Sequence, residues 1–180
     1  SYNNPDDTIK TNVIGTFNLL KDLKLNKYIK STIVVTTDKV YLNENKKINF
    51  DENSKLGGHD IYSSSKACCE ILTESFVKSF IDNNKCKIAT VRSGNCIGGG
   101  DWTKDRIVKD CIEAFISKKK LVIRSPNSTR PWQHVMEPVC GYLKLAEKLS
   151  GKNGKRYVGS WNFGPSRVNL SVLNLAKLGK

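Results

Sequence analysis

Residues 31–37 read STIVVTT, a short β-branched run of the kind that forms a strand buried on both faces of a parallel sheet. The stretch before it has a different period. Over 6–29, Ile9, Val13, Ile14, Phe17, Leu20 and Leu23 recur at three- and four-residue steps, which predicts a helix with one apolar face. After it, 38–60 is polar and glycine-bearing and reads as a loop. A second helix is expected from Ser63, a suitable N-cap, with Ala67, Cys68, Ile71, Leu72, Ser75, Phe76, Ser79 and Phe80 facing inward. The alternation then continues. CKIATVR (86–92) reads as a strand, SGNCIGGGDW (93–102) as a loop, 104–118 as a helix and KLVIRS (120–125) as a short strand. A helix follows from Pro131 to about residue 149, then a strand at RYVGSWNFG (156–164) and the start of another helix in LSVLNLAKLGK (170–180). Strand and helix in turn predict an α/β fold: a parallel sheet with crossover helices, whose ligands sit outside the carboxyl ends of the strands.

Composition narrows the function classes. A chain of 180 residues, 38% hydrophobic and 26% charged, suits an ordinary globular domain. No apolar run approaches the roughly 18–20 residues needed to cross a bilayer, and the opening SYNNPDDTIK is polar, so a cytoplasmic setting without a membrane is expected. Six cysteines are scattered without a C-x-x-C pair, and His59 and His134 are the two histidines. That pattern argues against zinc or any other metal and for reduced cysteines packed as small hydrophobes. His134 reads as a packed residue at a helix start. The excess of 30 Lys+Arg over 17 Asp+Glu raises nucleic acid as a partner. The lysines, however, are sprinkled through KDLKLNKYIK, KKK (118–120) and GKNGKR with no aromatic-interleaved stripe, which fits a solvated surface and an anionic small ligand instead.

The chemistry-bearing stretch is GHDIYSSSKACCE (58–70). Tyr62 and Lys66 stand four apart, one turn along one helical face, so an ammonium can lie beneath a phenol. A free phenol titrates near 10, and acting as a base at neutral pH requires lowering that by about three units, roughly 4 kcal/mol. A nearby cation works in that direction. Taken alone, Y-x-x-x-K arises readily by accident in a lysine-rich chain. VVTTDKVY (34–41) adds to it, because Thr37, Asp38 and Lys39 stand at the carboxyl end of the strand before the Tyr62 helix. TDK is otherwise a polar turn closing a strand. GGG (98–100) is no dinucleotide fingerprint and reads as a flexible turn.

VVTTDKVY, YSSSK twenty-five positions after Thr37, VRSGNCIGGGDW, RPWQHV and WNFGP together resemble the extended short-chain dehydrogenase/reductase family. The likeness spans nearly the whole chain. Within the family the chain is most similar to the nucleotide-sugar 4,6-dehydratases, and Lys39, with GGGDW and RPWQHV, is similar to their CDP-sugar branch. The resemblance implies a partial Rossmann-like sheet over 1–94 and, over 95–180, mostly segments of a small substrate-binding domain interleaved with it. It also implies NAD as a recycled cofactor and a CDP-hexose as substrate, turned into a 4-keto-6-deoxy sugar, and a homo-oligomer when full length. Tyr62 would take the sugar 4-hydroxyl proton, with Thr37 binding the same oxygen. Lys66 would tune the phenol and, with Tyr62, hold the nicotinamide ribose. Asp38 would be the acid for the departing 6-hydroxyl, and Lys39 would lie near the C5 proton. Asn95, Arg106, Arg124, Arg130 and Asn162 would meet the nucleotide diphosphate, where arginine forks and amide donors suit phosphate oxygens.

The family's glycine-rich cofactor loop, G-x-x-G-x-x-G after a first strand, is absent from these 180 residues. The expectation is therefore a fragment that lacks its pyrophosphate site and binds NAD poorly by itself. Two alternatives stand beside the dehydratase: a truncated, non-catalytic nucleotide-sugar-binding remnant, and a sibling enzyme such as a dTDP-glucose dehydratase or a nucleotide-sugar epimerase. An epimerase would have no special use for Asp38 and Lys39.

Overall fold

The computed structural model describes residues 1–44, 49–82, 85–165 and 170–178. Residues 45–48 of the expected loop and 179–180 of the expected last helix lie outside them. In chain order the elements are α1 (Pro5–Ile9), a π turn (Lys10–Ile14), α2 (Gly15–Leu25), β1 (Ser31–Val35), a 3₁₀ turn (Asp38–Val40), α3 (Ile61–Phe80), β2 (Lys87–Ser93), β3 (Cys96–Ile97) and α4 (Ile107–Ile116). Then come β4 (Thr129–Arg130), β5 (Gln133–His134), α5 (Met136–Ser150), a second 3₁₀ turn (Gly154–Tyr157), β6 (Gly159–Phe163), β7 (Leu170–Ser171) and α6 (Val172–Leu178). They group into two compact units, Ser1–Ser93 with Cys140–Phe163, and Gly94–Val139 with Gly164–Lys180.

The first unit is built on a parallel sheet of order β1-β2-β6, with Ile33 beside Ala89 and Val91 beside Trp161. Its middle strand is buried on both faces, which is why its sequence runs apolar without alternation. Ile88 joins Leu20, Phe76, Val77 and Cys86 in a cluster fed by α2 and α3. The next residue along, Ala89, joins Val91, Leu145 and Leu149 on the opposite side, under α5. Fully burying each such aliphatic side chain is worth about 1.5–3 kcal/mol, so the sandwich of α2 and α3, sheet and α5 dominates this unit. In α5, Gly141 leaves room for the Phe163 ring, since a Cβ there would come within 2.2 Å of it.

The helix expected over 6–29 ends earlier, at Leu25, where Asn26 turns extended and its side-chain oxygen accepts from the Tyr28 N–H. The start and inward face of α3 also differ from expectation. Asp60, not Ser63, is the N-cap, and Ser63 lies inside the first turn. Ala67 and Phe76 are buried as expected, but Cys69, Glu70, Thr73 and Val77 face inward with them, while Ile71 is 54% exposed and Cys68, Ser75, Ser79 and Phe80 lie on the outside. The face is rotated because it includes a buried carboxylate that an apolar pattern passes over. Three of the six cysteines are buried, Cys69, Cys86 and Cys111, and burial pushes each thiol up from its ordinary range. Cys68, Cys96 and Cys140 are exposed, contrary to the core reading.

In the second unit β3 pairs parallel with β5, β4 pairs antiparallel with β7, and α4 packs against α6. α4 is shorter than 104–118 because Asp105 before it and Lys118 after it adopt positive φ, 67° and 52°. At its end the Lys119 N–H reaches the Ala114 carbonyl and the Lys118 N–H the Phe115 carbonyl, a Schellman cap with lysine where glycine is usual. The strand expected at 120–125 does not form: its backbone finds no partner strand among the described residues, and Val122 is 76% exposed. The helix expected from Pro131 begins only at Met136, because Gln133 and His134 are drawn into β5. His134 is exposed rather than packed, and its Nδ1 accepts the Met136 N–H at 3.2 Å at the start of α5.

Candidate functional site

At the carboxyl end of β1 the ladder runs one residue further, the Thr36 N–H donating to the Val91 carbonyl at 2.9 Å. The chain then turns. Thr37, buried, accepts the Lys39 N–H at 3.4 Å and donates its hydroxyl to Asp38 Oδ1 at 3.2 Å, which closes the 3₁₀ turn. Behind the turn, Val40 and Tyr41 are packed with Ala67 of α3, Phe50 and Leu56. The turn thus rests on the helix that carries Tyr62.

That helix begins where the Asp60 carboxylate accepts the Ser63 N–H at 3.1 Å and the Ser63 hydroxyl at 2.7 Å. Partial burial pushes the Asp60 carboxyl up. The side-chain and backbone hydrogen bonds from Ser63, helped by the Lys39 ammonium, outweigh that and hold it below the ordinary aspartate value. Gly58 allows the approach loop to lie against the first turn, since a Cβ there would sit 2.4 Å from the Ser64 nitrogen. The Gly57 N–H donates to the Val40 carbonyl at 2.7 Å, which ties the loop to the turn.

The three serines between Tyr62 and Lys66 each make a separate attachment. Ser63 bonds the cap, Ser64 donates to the Gly58 carbonyl at 3.1 Å, and Ser65 donates to the Tyr62 carbonyl at 2.8 Å while accepting from Asn12 Nδ2 at 2.9 Å. The Tyr62 side chain is left 37% exposed. Lys66 donates to the Val35 carbonyl at 3.2 Å, so its ammonium is pinned to the end of β1. The Lys39 ammonium lies 5.9 Å from the centroid of the Tyr62 ring. Thr37, Asp38, Lys39, Tyr62 and Lys66 therefore belong to one strand end and the helix start beside it. A partly exposed phenol with an ammonium nearby, a hydroxyl and a carboxylate can move protons at a sugar-sized ligand.

Sequence reasoning missed the group behind them. Arg92 of β2 and Glu70 of α3, 3% and 2% exposed, form a two-pronged ion pair, Nε to Oε1 at 2.9 Å and Nη2 to Oε2 at 3.0 Å. The hydroxyls of Thr36, Thr90 and Ser160 also donate to Glu70. Arg92 Nη1 donates to the Tyr41 hydroxyl at 2.9 Å and to the Glu52 carbonyl at 3.1 Å, and Tyr41 in turn donates to Asn162 Oδ1. Burial pushes the Glu70 carboxyl up, but Arg92, Thr36 and Thr90 hold it below its ordinary range, so it is a carboxylate at neutral pH. Burial raises the Tyr41 phenol, against the lowering influence of Arg92. One signal pointed here: an arginine in a strand buried on both faces requires a partner.

Asn162, at the end of β6, is fixed by Tyr41 and Phe50: its Oδ1 accepts from Tyr41 and its Nδ2 donates to the Phe50 carbonyl at 3.4 Å. The other expected substrate contacts belong to the second unit. The Asn95 carbonyl accepts the Gln133 N–H at 3.0 Å. Arg106 pairs with Asp101 at 3.4 Å and Arg124 with Asp105 at 2.9 Å, both on the surface. Arg130 is exposed, with its guanidinium on the Thr129 carbonyl. The Trp132 indole N–H donates to the Leu170 carbonyl at 2.9 Å and anchors the RPWQHV segment in that unit.

A parallel sheet covered by helices on both faces, with a tyrosine-lysine helix starting beside a strand end, is a Rossmann-like α/β arrangement. The chain belongs to the NAD dependent epimerase/dehydratase family, whose model matches residues 1–159. It is 42% identical over 170 residues to a CDP-glucose 4,6-dehydratase of Salmonella typhimurium, covering 92% of this chain and 47% of that protein. It is 30% identical over 167 residues to a dTDP-D-glucose 4,6-dehydratase of Bos taurus, covering 92% and 43%. A crystal structure of dTDP-glucose 4,6-dehydratase from Bacillus anthracis in complex with NAD superimposes with a TM-score of 0.77 at 24% identity, over 95% of this chain and 51% of that one. The chain spans about half the length of the relatives it matches.

Proposed function

We propose that the protein carrying this chain dehydrates a nucleotide sugar, turning CDP-glucose into CDP-4-keto-6-deoxyglucose with NAD as a recycled cofactor. The observation that carries the reading is the approach of Lys39 to the Tyr62 ring. It sets the Asp38-Lys39 turn beside the phenol, a pairing useful for elimination as well as oxidation. The likeness to the Salmonella CDP-glucose 4,6-dehydratase supports the choice of nucleobase and sugar.

The residues present fit the cofactor: a partly exposed phenol and a strand-anchored ammonium stand at the carboxyl end of a parallel strand, where such folds bind dinucleotides. NAD held there would supply the hydride acceptor for the sugar C4 and the hydride donor for C6. Tyr62 takes the 4-hydroxyl proton. Lys66, pinned to the Val35 carbonyl one helical turn beyond Tyr62, is the cation we assign to tune the phenol, and with Tyr62 it would hold the cofactor ribose. Thr37 directs its hydroxyl to Asp38 and turns it to the sugar 4-oxygen when substrate arrives. Asp38 protonates the departing 6-hydroxyl, and Lys39 orients the water or base that removes the C5 proton, a step eased once C4 is a ketone. We assign residues 1–94 to the cofactor-binding part and 95–180 mostly to the substrate part. Asn95, Arg106, Arg124 and Arg130, with Asn162, are our assigned contacts for the nucleotide diphosphate. A cytoplasmic setting is part of the same proposal, supported by six cysteines scattered without a C-x-x-C pair, and no helix among the described residues is long and apolar enough to cross a membrane. We take the full-length protein to be a homo-oligomer whose partner is the nucleotide sugar and not nucleic acid.

The test is a product screen of the full-length protein against CDP-, dTDP-, UDP- and GDP-glucose. A 4-keto-6-deoxy product formed fastest from CDP-glucose is expected. A C4 epimer formed without loss of water would overturn the reading in favour of an epimerase.

A further inference from the structure

Tyr62, Lys66 and Glu70 stand at successive four-residue steps of α3 and so share one face of the helix. Lys66 meets the end of β1, Tyr62 faces Lys39 of the turn that follows it, and Glu70 is buried against Arg92 of β2. Each piece of chain bearing a proposed catalytic group also has an attachment to the Glu70–Arg92 pair. Thr36, next to Thr37, bonds Glu70. Tyr41, just after the Asp38–Val40 turn, bonds Arg92 and lies under its guanidinium, 5.1 Å from the ring centroid. Ser160 of β6 bonds both partners. Asn162 is reached through Tyr41. Glu52 gives its backbone carbonyl to Arg92 and its carboxylate to the Asn162 N–H at 2.8 Å.

A pair needed only to neutralise two charges would not require this arrangement. The fork-to-fork geometry permits one rotation of α3 about its axis, and Nη1 extends that constraint to the turn and the end of β6. We infer that Glu70, Arg92 and Tyr41 form a positioning unit that fixes the rotation of α3 against the strand ends, so that the Tyr62 phenol and the Asp38-Lys39 turn reach one sugar together. None of the three touches substrate in this assignment; they act through Tyr62, Lys66 and Lys39. The inference rests on the dehydratase reading for its kinetic consequence but not for its structural one.

Two arms separate them, both in the full-length protein. The first needs no turnover: amide hydrogen exchange of residues 61–66 in Arg92→Lys and Glu70→Gln. Both variants should exchange these amides at least about tenfold faster, with residues 72–80 unchanged. Unchanged exchange at 61–66, or equal acceleration along all of α3, overturns the inference. The second is single-turnover oxidation of CDP-glucose, read by reduced-nicotinamide absorbance. Arg92→Lys, which keeps the charge but loses the fork, should slow oxidation by at least about tenfold while KM changes less than threefold. Oxidation at the wild-type rate, or loss only in proportion to unfolded protein, overturns it. Wild-type protein inert toward CDP-glucose would sink the dehydratase reading and leave the exchange arm to decide. Where either variant fails to fold, Tyr41→Phe keeps the ring stacked on Phe50 and removes only the link from Arg92 to Asn162. It should show the same split at smaller size, and wild-type values in both arms would overturn the inference.

Discussion

The Lys39 ammonium stands 5.9 Å from the Tyr62 ring centroid, although a 20-residue loop, residues 41–60, separates their elements in the chain. The contact joins the turn after β1 to the first turn of α3. The Lys66 ammonium, one helical turn beyond Tyr62, is held on the Val35 carbonyl, so its place is set by a backbone attachment and not by its flexible stem alone. Side chains held this way lose little further entropy when a ligand arrives.

Tyr62→Phe in the full-length protein removes the proton acceptor and leaves the serine attachments, which do not use the phenol hydroxyl. Turnover of CDP-glucose should fall by about 10²–10⁴-fold, the usual contribution of a positioned acid-base group, while calorimetric affinity for the nucleotide sugar stays within about threefold. Retained turnover would remove Tyr62 from the mechanism.

Asp38→Asn keeps the shape of the 3₁₀ turn and its bond from Thr37 but cannot protonate a leaving hydroxyl. Oxidation should proceed and elimination stall, so on rapid mixing with CDP-glucose the reduced-nicotinamide absorbance should rise and persist. A trace like the wild type's would assign the leaving-group proton to another residue.

Asp60 supplies a pH-dependent contribution. Its folded carboxyl titrates below its unfolded value near 3.8, so the stability it adds is present above that value and is lost as pH falls through the lower folded one. Asp60→Ala should therefore cost about 1 kcal/mol at neutral pH, the usual worth of an N-cap. The gap from wild type should narrow below about pH 4. Thermal melts of both proteins at neutral and acid pH measure it, and a gap independent of pH would show that the charge contributes nothing.

The parallel sheet was legible because β1 and β2 are apolar runs between helical periods, and because Tyr62, Lys66 and Thr37 combine recognisable residue types at short spacing. The N-cap was misplaced by three residues since aspartate and serine both suit that role and only backbone geometry separates them. KLVIRS failed as a strand because strand formation depends on a partner that lies elsewhere in the chain. The Glu70–Arg92 pair was invisible to periodicity, which assigns a glutamate in a helix to solvent. Its partner is 22 residues away on another element. The ends of α4, at Ile107 and Ile116, were missed for another reason: the flanking Asp105 and Lys118 adopt positive φ that neither residue advertises.

Lys118 offers a test of that last point. A lysine held at φ 52° carries a cost of about 1–2 kcal/mol relative to glycine, partly offset by glycine's larger loss of freedom on folding, about 0.5–1 kcal/mol. Lys118→Gly should therefore stabilise the full-length protein by roughly 0.5 kcal/mol, or about 1–2 °C in melting temperature. Destabilisation would mean that the lysine side chain, and not its backbone, decides the end of α4.

The buried pair permits the most demanding test. Removing one partner leaves the other charge without compensation in a site almost closed to water, so Arg92→Met and Glu70→Leu should each destabilise by about 3–5 kcal/mol. The double variant removes both charges and should be less unstable than the sum of the singles by at least about 2 kcal/mol. It should not recover fully, because the hydroxyls of Thr90 and Ser160 and the phenol of Tyr41 lose their partner. Acid provides a second handle. The Glu70 carboxyl is held below its ordinary value near 4.5, so the pair's contribution is complete at neutral pH and disappears as pH falls through the folded value. The double variant should lack that part of the acid sensitivity. Additive singles in urea or thermal melts, with an acid response unchanged in the double variant, would mean that Glu70 and Arg92 do not act as a pair.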